Sequence, residues 1–345
     1  MVESLSDLLS FRRVLVIGIG GGGDAVSASI IALMLSDLDI DCFVGGVSWE
    51  RWSRDPFPGP VSLTRYVNVD LGDGYALIRN DSLVDRGLVR FKPTLAFIKE
   101  VTGLPCIVFD LCHGWLGVTK GLRSFIERYG IEFVLGVDVG GDVLALGHED
   151  SLWSPLADQL TLSGIASLST PSLIGVLGVG GDGELDPNYV INRISCLASI
   201  GGYVGSLGVF TKYLSTYRRL VELTGTEASK VPYLALSGYL GRLSLRDGTR
   251  YTEVDVSKSV LYLLKTETIF SNQPLPKALV GTETITEAMR RANELGIYTE
   301  LNLELKIAKE IGTGKKAKYK EIMEKAIEEK NEIRRIYGKM SYQPN

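Results

Sequence analysis

VLVIGIGGGGDAVSASIIALML, residues 14–35, is the stretch that decides the fold. Its first residues, Val14–Ile17, are apolar and mostly β-branched, which indicates a strand buried on both faces of a parallel sheet. Glycines fill all but one position of Gly18–Gly23, and apolar residues then recur at helical spacing over Val26–Met34. The stretch therefore predicts a strand, a glycine loop closed by Asp24, and a helix.

Two later stretches repeat this glycine turn. Gly140-Gly141-Asp142 and Gly180-Gly181-Asp182 each follow a β-rich run. The strands that precede the turns belong to a set of five candidates, Val14–Ile17, Asp41–Val47, Cys106–Asp110, Ile131–Val137 and Leu173–Leu177. In an open parallel sheet the strands end at one edge, and ligands bind beyond their carboxyl ends. The three turns are therefore predicted to meet in one ligand site.

The alternation of strand and helix patterns predicts the fold class. We expect a Rossmann-like α/β fold with a mainly parallel sheet of about five or more strands flanked by helices. Residues 1–310 are predicted to form one domain, with a largely helical section over 187–245 after the fifth strand. A charged helical tail is predicted over 311–345, where Lys, Arg and Glu alternate with a narrow apolar stripe.

Composition excludes several classes of partner. A net charge of −4 over 345 residues gives no basic field for nucleic acid. No apolar run reaches the roughly 18 residues of a membrane helix, and the N-terminus lacks the pattern of a signal peptide. The four cysteines are widely spaced without a C-x-x-C pair, which favours reduced thiols. We therefore expect a cytoplasmic protein that binds a small molecule. The sequence leaves open whether the protein forms a homo-oligomer.

The glycine loop after the first strand is close to a dinucleotide fingerprint. Gly18–Gly23 satisfies G-x-G-x-x-G between a strand and a helix. However, the second strand lacks an acidic residue at its end, since Asp41 begins it and Glu50 comes late. Asp24 also places a carboxylate where a pyrophosphate would lie, and it would repel that anion unless a cation lay between them. The loop therefore predicts a phosphate site that needs a cation.

Carboxylates in three equivalent turns suggest which cation this is. Mg²⁺ is bound by a few carboxylates together with waters and phosphate oxygens, so Mg²⁺ is the cofactor candidate and Asp24, Asp142 and Asp182 are the metal candidates. The predicted ligand-binding residues are Gly20, Gly21, Gly22, Gly23, Asp24, Gly140, Gly141, Asp142, Gly180, Gly181, Asp182, Glu50 and Arg51. The carboxylates could instead hold sugar hydroxyls or a substrate amine, or each Asp could cap a helix beside a close-packed glycine turn.

His113 is the candidate for acid–base chemistry. It follows a predicted strand at the same edge, its ordinary pKa of about 6.5 suits proton transfer near neutrality, and Asp110 precedes it. Asp110 and Asp138 complete the set of catalytic candidates. The alternative for His113 is a structural hydrogen-bonding role.

Four motifs read in order resemble one protein family. They are GIGGGGDAVSAS at residues 18–29, GVDVGGD at 136–142, the SPL helix start at Ser154 and GVGGDGEL at 178–185. The chain resembles the largely archaeal family DUF1152, a domain of unknown function, over most of residues 10–310. The resemblance implies a Rossmann-like fold and a cytoplasmic protein, and it implies no activity. The charged tail after Gly314 lies outside it.

Three functions follow as hypotheses. The first is an enzyme or binding protein for a small phosphorylated or nucleotide-like ligand at the Gly-Gly-Asp loops, assisted by Mg²⁺. The second is a metal-independent hydrolase or lyase that acts on a non-phosphorylated metabolite with His113 as base. The third is a non-enzymatic assembly protein that acts through the C-terminal helix.

Overall fold

The strand of the opening stretch lies at the centre of a large sheet. The computed structural model describes residues 2–338, without the side chains of residues 319 and 321. Residues 339–345 of the predicted tail lie outside the described residues. Twelve strands are present in the described chain: β1 Arg13–Gly18, β2 Asp41–Val47, β3 Tyr66–Leu71, β4 Tyr75–Asp85, β5 Arg90–Phe91, β6 Cys106–Phe109, β7 Phe133–Val139, β8 Ser172–Leu177, β9 Tyr203–Gly208, β10 Gly241–Leu245, β11 Arg250–Val254 and β12 Val260–Lys265.

Ten of these strands form one sheet, in the spatial order β3-β4-β6-β2-β1-β7-β8-β12-β9 with β5 paired to β4. The five strands predicted from the sequence, β6, β2, β1, β7 and β8, are its parallel centre. Beyond this centre, β4 pairs antiparallel with β6 on one side. On the other side β12 pairs antiparallel with β8, and β9 pairs antiparallel with β12. The fold class is therefore confirmed as α/β with a mostly parallel central sheet. Strands β10 and β11 form a separate hairpin.

The parallel centre has a reversal of strand order beside β1. Chain order proceeds from β1 to β2 and β6 on one side, and then to β7 and β8 on the other. Such a switch point opens a crevice at the carboxyl ends of the strands, because the crossover helices on its two sides lie on opposite faces of the sheet. The first and second glycine turns follow the two strands that border this crevice, β1 and β7.

Thirteen helices lie in the described chain: α1 Leu5–Leu8, α2 Gly22–Ser36, α3 Thr94–Thr102, α4 Gly114–Tyr129, α5 Pro155–Ala166, α6 Pro187–Ser199, α7 Leu214–Thr224, α8 Lys230–Leu236, α9 Thr266–Ser271, α10 Pro274–Leu279, α11 Ile285–Glu294, α12 Glu300–Ile311 and α13 Tyr319–Tyr337. None of them has the length and apolarity of a membrane span. The section over 187–245 contains α6, α7 and α8, but also the edge strand β9 and strand β10.

Two apolar clusters cover the two faces of the sheet. Leu15 and Ile17 point to the face covered by α4 and α5, whereas Val14 and Val16 point to the face covered by α2 and α7. This alternation along β1 is the period of two that a strand imposes on its side chains. A third cluster joins α12 and α13 to Trp52 and to the segment before α5. The tail helix therefore packs on the body of the protein.

Candidate functional site

A cavity of about 360 Å³ lies at the carboxyl ends of the parallel strands. All three predicted aspartates, Asp24, Asp142 and Asp182, line it, together with Gly21–Gly23, Asp138, Glu50 and Arg51. The other predicted glycines belong to the same turns but do not line the cavity themselves: Gly20, Gly140, Gly141, Gly180 and Gly181. The structure therefore brings the three turns to one place, as the strand pattern indicated.

The carboxylates are divided into two groups, whereas the sequence predicted Asp24, Asp142 and Asp182 as the ligands of one cation. Asp24, Asp138 and Asp158 form the first triad, in which the three carboxylates each place an oxygen within 4.8 Å of the others. Asp24 comes from the first turn of α2, Asp138 from the end of β7 and Asp158 from the first turn of α5. The amide of Gly20 donates to Asp24 Oδ2 at 2.8 Å. Asp24 is therefore oriented by its own turn.

Asp142, Asp182 and Glu184 form the second triad, under the same 4.8 Å limit. Glu184 is fully engaged: its carboxylate accepts from the amides of Trp153 and Ser154, at 2.6 and 2.9 Å, and pairs with Arg250 at 2.6 Å. Asp142 differs, because its Oδ1 is buried without a hydrogen-bond partner among the described residues. The second triad thus contains one satisfied carboxylate and one with an open coordination position.

Burial and mutual repulsion raise the pKa values of five of these six carboxyl groups. Burial, opposed in part by the Gly20 amide and Arg51, raises the pKa of Asp24 to about 7. Burial and the neighbouring Glu184 raise the pKa of Asp182 to about 7. The pKa values of Asp138, Asp142 and Asp158 are raised well above the ordinary value, by burial first and then by other carboxylates of the two triads. This is the electrostatic situation that bound cations relieve.

Glu184 is the exception within the cavity. Burial opposes its ionisation, but Arg250 and the hydrogen bonds from Ser154 and Trp153 outweigh burial and lower its pKa to about 2. Glu184 and Arg250 therefore form a stable ion pair, with exposed side-chain fractions of 2% and 12%. This pair anchors the β10–β11 hairpin, which carries Arg250, to the cavity.

The glycine loop presents the start of a helix to the cavity. Helix α2 begins at Gly22 without a side-chain cap, and the amide of Gly22 donates to Trp49 O. The amides of Gly21 and Gly23 have no acceptor among the described residues. Free amides at a helix N-terminus bind phosphate oxygens, with the helix dipole adding to the attraction. The loop therefore suits a phosphate group next to the first triad.

Glu50 and Arg51 are held by contacts that the sequence does not reveal. Glu50 caps α3, since its carboxylate accepts from the amide and hydroxyl of Thr94 at 2.8 and 2.7 Å. Arg51 pairs with Glu300 at 2.7 Å and lies 4.7 Å from the centroid of the Trp49 ring. Both residues line the cavity, but each has a structural partner.

Helix α12 forms the outer support of the site. The Glu300 carboxylate accepts from the amides of Leu156 and Ala157 at 2.8 and 2.9 Å, and so caps α5, the helix that carries Asp158. Glu304 accepts from Trp49 Nε1, from the amide of Trp52 and from the amide of Gly59. One helix therefore fixes both the Arg51 loop and the start of α5.

His113 and Asp110 lie apart from this cavity. The His113 ring is 69% exposed, and its Nδ1 lies 2.5 Å from Asp110 Oδ2. Neither residue lines the cavity. Of the three catalytic candidates, the structure brings only Asp138 together with the glycine turns.

Asp158 and Glu184 line the cavity but are absent from the sequence prediction, as are three residues that support it, Arg250, Glu300 and Glu304. Asp158 had a local signal, because a Ser-Pro helix start places it in the first turn of α5, where a carboxylate interacts well with the helix dipole. No local sequence pattern indicates Arg250, Glu300 or Glu304, because they come from elements that lie far along the chain from the glycine turns. Contacts over such separations depend on the tertiary fold.

Comparison with known proteins identifies the family. The chain belongs to the family described as protein of unknown function DUF1152, whose model matches residues 15–308. The matched region includes both carboxylate triads. No curated protein and no solved structure matches the chain.

Proposed function

We propose that this member of the DUF1152 family is an enzyme or binding protein for phosphorylated ligands. It binds a small phosphorylated or nucleotide-like ligand together with a divalent cation, with Mg²⁺ as the first candidate. One observation carries the proposal: buried carboxylates from α2, β7 and α5 converge beside the open amides of the α2 N-terminus, within one cavity. Carboxylates attract the cation and the amides attract the phosphate, so one ligand with its cation satisfies both.

The residues of the first triad fit a hard cation. Mg²⁺ prefers oxygen ligands, and Asp24, Asp138 and Asp158 supply carboxylate oxygens close enough to share one ion. A bound divalent cation would polarise a phosphoryl oxygen and lower the pKa of water. Gly21 and Gly23 would bind phosphate oxygens through their amides, and Arg51 would add positive charge to the wall of the cavity. The chain would thereby position the phosphate beside the cation.

Thermal-shift and calorimetric titrations test this function. We would titrate ADP, ATP, pyrophosphate and a sugar phosphate, each with Mg²⁺ and with EDTA, into wild type and Asp24→Asn. The matched control is Asp73→Asn, at an exposed aspartate paired with Lys120. We expect at least one phosphorylated ligand to raise the Tm with Mg²⁺ only, in wild type and the control but not in Asp24→Asn. Lack of any response in wild type, or an equal response in Asp24→Asn, would overturn the proposal.

The His113 hypothesis has one observation in its favour. Asp110 lies against Nδ1 of the exposed ring and so orients the other ring nitrogen outward. A carboxylate that orients an imidazole is a recurring arrangement for a general base. It predicts turnover of a non-phosphorylated metabolite that survives EDTA and is lost in His113→Ala. Turnover that EDTA abolishes, or that His113→Ala retains, would remove this candidate.

The cytoplasmic location is part of the proposal. All four cysteines are free thiols, three of them at least partly buried, which is typical of a reducing compartment. Assembly through the C-terminal helix and a homo-oligomeric state are further predictions. Native mass spectrometry of the full chain measures that state directly.

A further inference from the structure

We propose that the cavity holds two divalent cations, one on each carboxylate triad, so that the site is a binuclear centre. This inference rests on the proposed function, whose cavity it shares, and adds the number of cations and their ligands. The first site consists of Asp24, Asp138 and Asp158, and the second lies at Asp142, Asp182 and Glu184. In the second site Asp142 and Asp182 supply the open oxygens, and Glu184, already held by Arg250, Trp153 and Ser154, forms the wall.

The two triads have no ligand in common. Each contains three carboxylates with oxygens within 4.8 Å of one another, a spacing that one ion can span. The six residues come from strand β7, the first turns of α2 and α5 and the turns after β7 and β8, and all of them line the same cavity. Two groups of oxygen ligands in one cavity therefore provide two cation positions.

Asp142 gives an independent sign of the second position. The residue is only 5% exposed, and its Oδ2 lies 3.3 Å from Ser154 Oγ, whose hydroxyl donates more closely to Glu184 Oε1. Its Oδ1 has no hydrogen-bond donor in the described part of the chain, and its carboxyl group contacts that of Asp182. A buried carboxylate oxygen without a donor is costly, and a cation would satisfy it directly.

Ion pairing leaves most of the two triads without a cationic partner. Arg250 pairs with Glu184, whereas Arg51 pairs with Glu300, which belongs to neither triad. In the described part of the chain, no Lys or Arg forms a salt bridge with the five aspartates, Asp24, Asp138, Asp142, Asp158 and Asp182. A divalent cation on each triad would supply the positive charge that these aspartates lack.

Two cations define the chemistry of the substrate more closely. Paired ions hold the attacking and leaving oxygens of an in-line displacement at phosphorus. In hydrolysis a water oxygen forms a bond to phosphorus while the bond to the leaving oxygen breaks, and the water proton passes to solvent or to the leaving group. The substrate class is therefore a phosphate ester or phosphoanhydride, with water or a hydroxyl as the acceptor.

Mn²⁺ titration followed by electron paramagnetic resonance tests the inference without any substrate. The signal of free Mn²⁺ counts the bound ions, and coupling between bound ions reports their proximity. We expect wild type and the control Asp73→Asn to bind two Mn²⁺ per chain with a coupled spectrum. Asp158→Asn and Asp142→Asn should each bind one Mn²⁺ with an uncoupled spectrum.

Zero or one Mn²⁺ per chain in wild type overturns the binuclear centre, as does a pair of bound ions without coupling. Retention of both coupled ions in Asp142→Asn also overturns it. If Asp142→Asn fails to fold, the wild-type count and coupling still decide, and Asp182→Asn takes its place. A single bound ion leaves the proposed function standing, because that function is decided by whether a phosphorylated ligand responds to Mg²⁺ in wild type and not in Asp24→Asn.

Discussion

Glycine at two positions is what allows the carboxylates to come so close. A Cβ atom on Gly20 would lie 2.4 Å from Asp24 Oδ2 and 2.6 Å from Asp158 Oδ1. A Cβ atom on Gly140, whose φ is 129°, would lie 2.7 Å from Asp182 Cγ. The third turn needs glycine for a different reason, because a Cβ atom on Gly181 would clash with the carbonyl oxygen of Gly178. Two of the three turns therefore require glycine for the carboxylates, and the third requires it for packing.

Gly20→Ala should disrupt the first triad. The new methyl group would displace the Asp24 and Asp158 carboxylates, and overpacking of this kind destabilises a protein by about 1–3 kcal/mol. We expect cation binding to fall at least tenfold by calorimetry, together with a lower free energy of unfolding. Gly205→Ala is the matched control, because its new methyl group would have no heavy atom within 4 Å and its strand is at the sheet edge. Unchanged cation affinity in Gly20→Ala would contradict this account.

Asp142→Asn and Glu184→Gln should change stability in opposite directions. Burial, and after it the neighbouring carboxylates, oppose ionisation of Asp142, so a neutral side chain there should stabilise the cation-free protein by about 1–2 kcal/mol, a gain of the kind often found at functional sites. Glu184 pairs with buried Arg250, so Glu184→Gln should destabilise it by about 3–5 kcal/mol. Urea unfolding in EDTA measures both. A loss of stability in Asp142→Asn would show that its carboxylate has a structural partner.

At the scale of secondary structure, α12 connects the two halves of the site. Its first residue, Glu300, caps α5 and pairs with Arg51. Its fifth residue, Glu304, binds the indole and amides of the Trp49 and Trp52 loop. Helix α5 has no hydrogen bond from its own N-cap side chain, so a residue from a distant helix supplies the missing acceptors. The position of Asp158 thus depends on α12.

Glu300→Ala should be strongly destabilising. It leaves the guanidinium of Arg51 and two α5 amides without their acceptor in a buried place, which typically costs about 3–5 kcal/mol. Glu267→Ala, at an exposed glutamate, should stay within about 0.5 kcal/mol of wild type. Chemical denaturation compares the two. Equal stability of both variants would mean that α12 is not a support of the site.

At the scale of the whole molecule, the sequence predicted the centre of the sheet better than its borders. Continuous apolar runs such as Val14–Ile17 identify strands buried on both faces, and all five parallel strands were found this way. Strands β12 and β9 extend the sheet antiparallel beyond β8, and no local sequence pattern indicates which strand each of them pairs with. The strand order also depends on long-range packing.

The same limit applies to the site. Asp24, Asp142 and Asp182 follow glycine turns at strand ends, so their convergence could be predicted from the sequence. Their division into two triads could not, because Asp158 enters from a helix whose start is fixed by Glu300. His113 shares the edge of the sheet but not the cavity, since β6 is separated from β7 by two strands.

Stability of the whole cation-free chain should fall as pH rises through the neutral range. Asp24 and Asp182 have pKa values of about 7 in the folded protein against 3.8 ordinarily. Between these values the folded state binds more protons than the unfolded state, so the free energy of unfolding falls with rising pH. Asp138, Asp142 and Asp158, whose pKa values are also raised, act in the same sense. We expect a loss of about 2–5 kcal/mol from pH 5 to pH 8.

Urea unfolding at pH 5, 6, 7 and 8 in EDTA measures this dependence. Glu184, whose pKa is lowered, acts in the opposite sense but only below about pH 4.5, outside this window. Addition of Mg²⁺ at pH 8 should restore stability, because the cation binds the ionised carboxylates of the folded state alone. Stability that rises from pH 5 to pH 8 in EDTA would contradict the electrostatic picture of the cavity.

The most direct test of the central claim is an anomalous difference map from crystals grown with Mn²⁺ and ADP. We expect Mn²⁺ peaks between the oxygens of Asp24, Asp138 and Asp158 and between those of Asp142, Asp182 and Glu184, with phosphate density at the amides of Gly21 and Gly23. A map with Mn²⁺ peaks only on the protein surface, and none in the carboxylate cavity, would contradict the account.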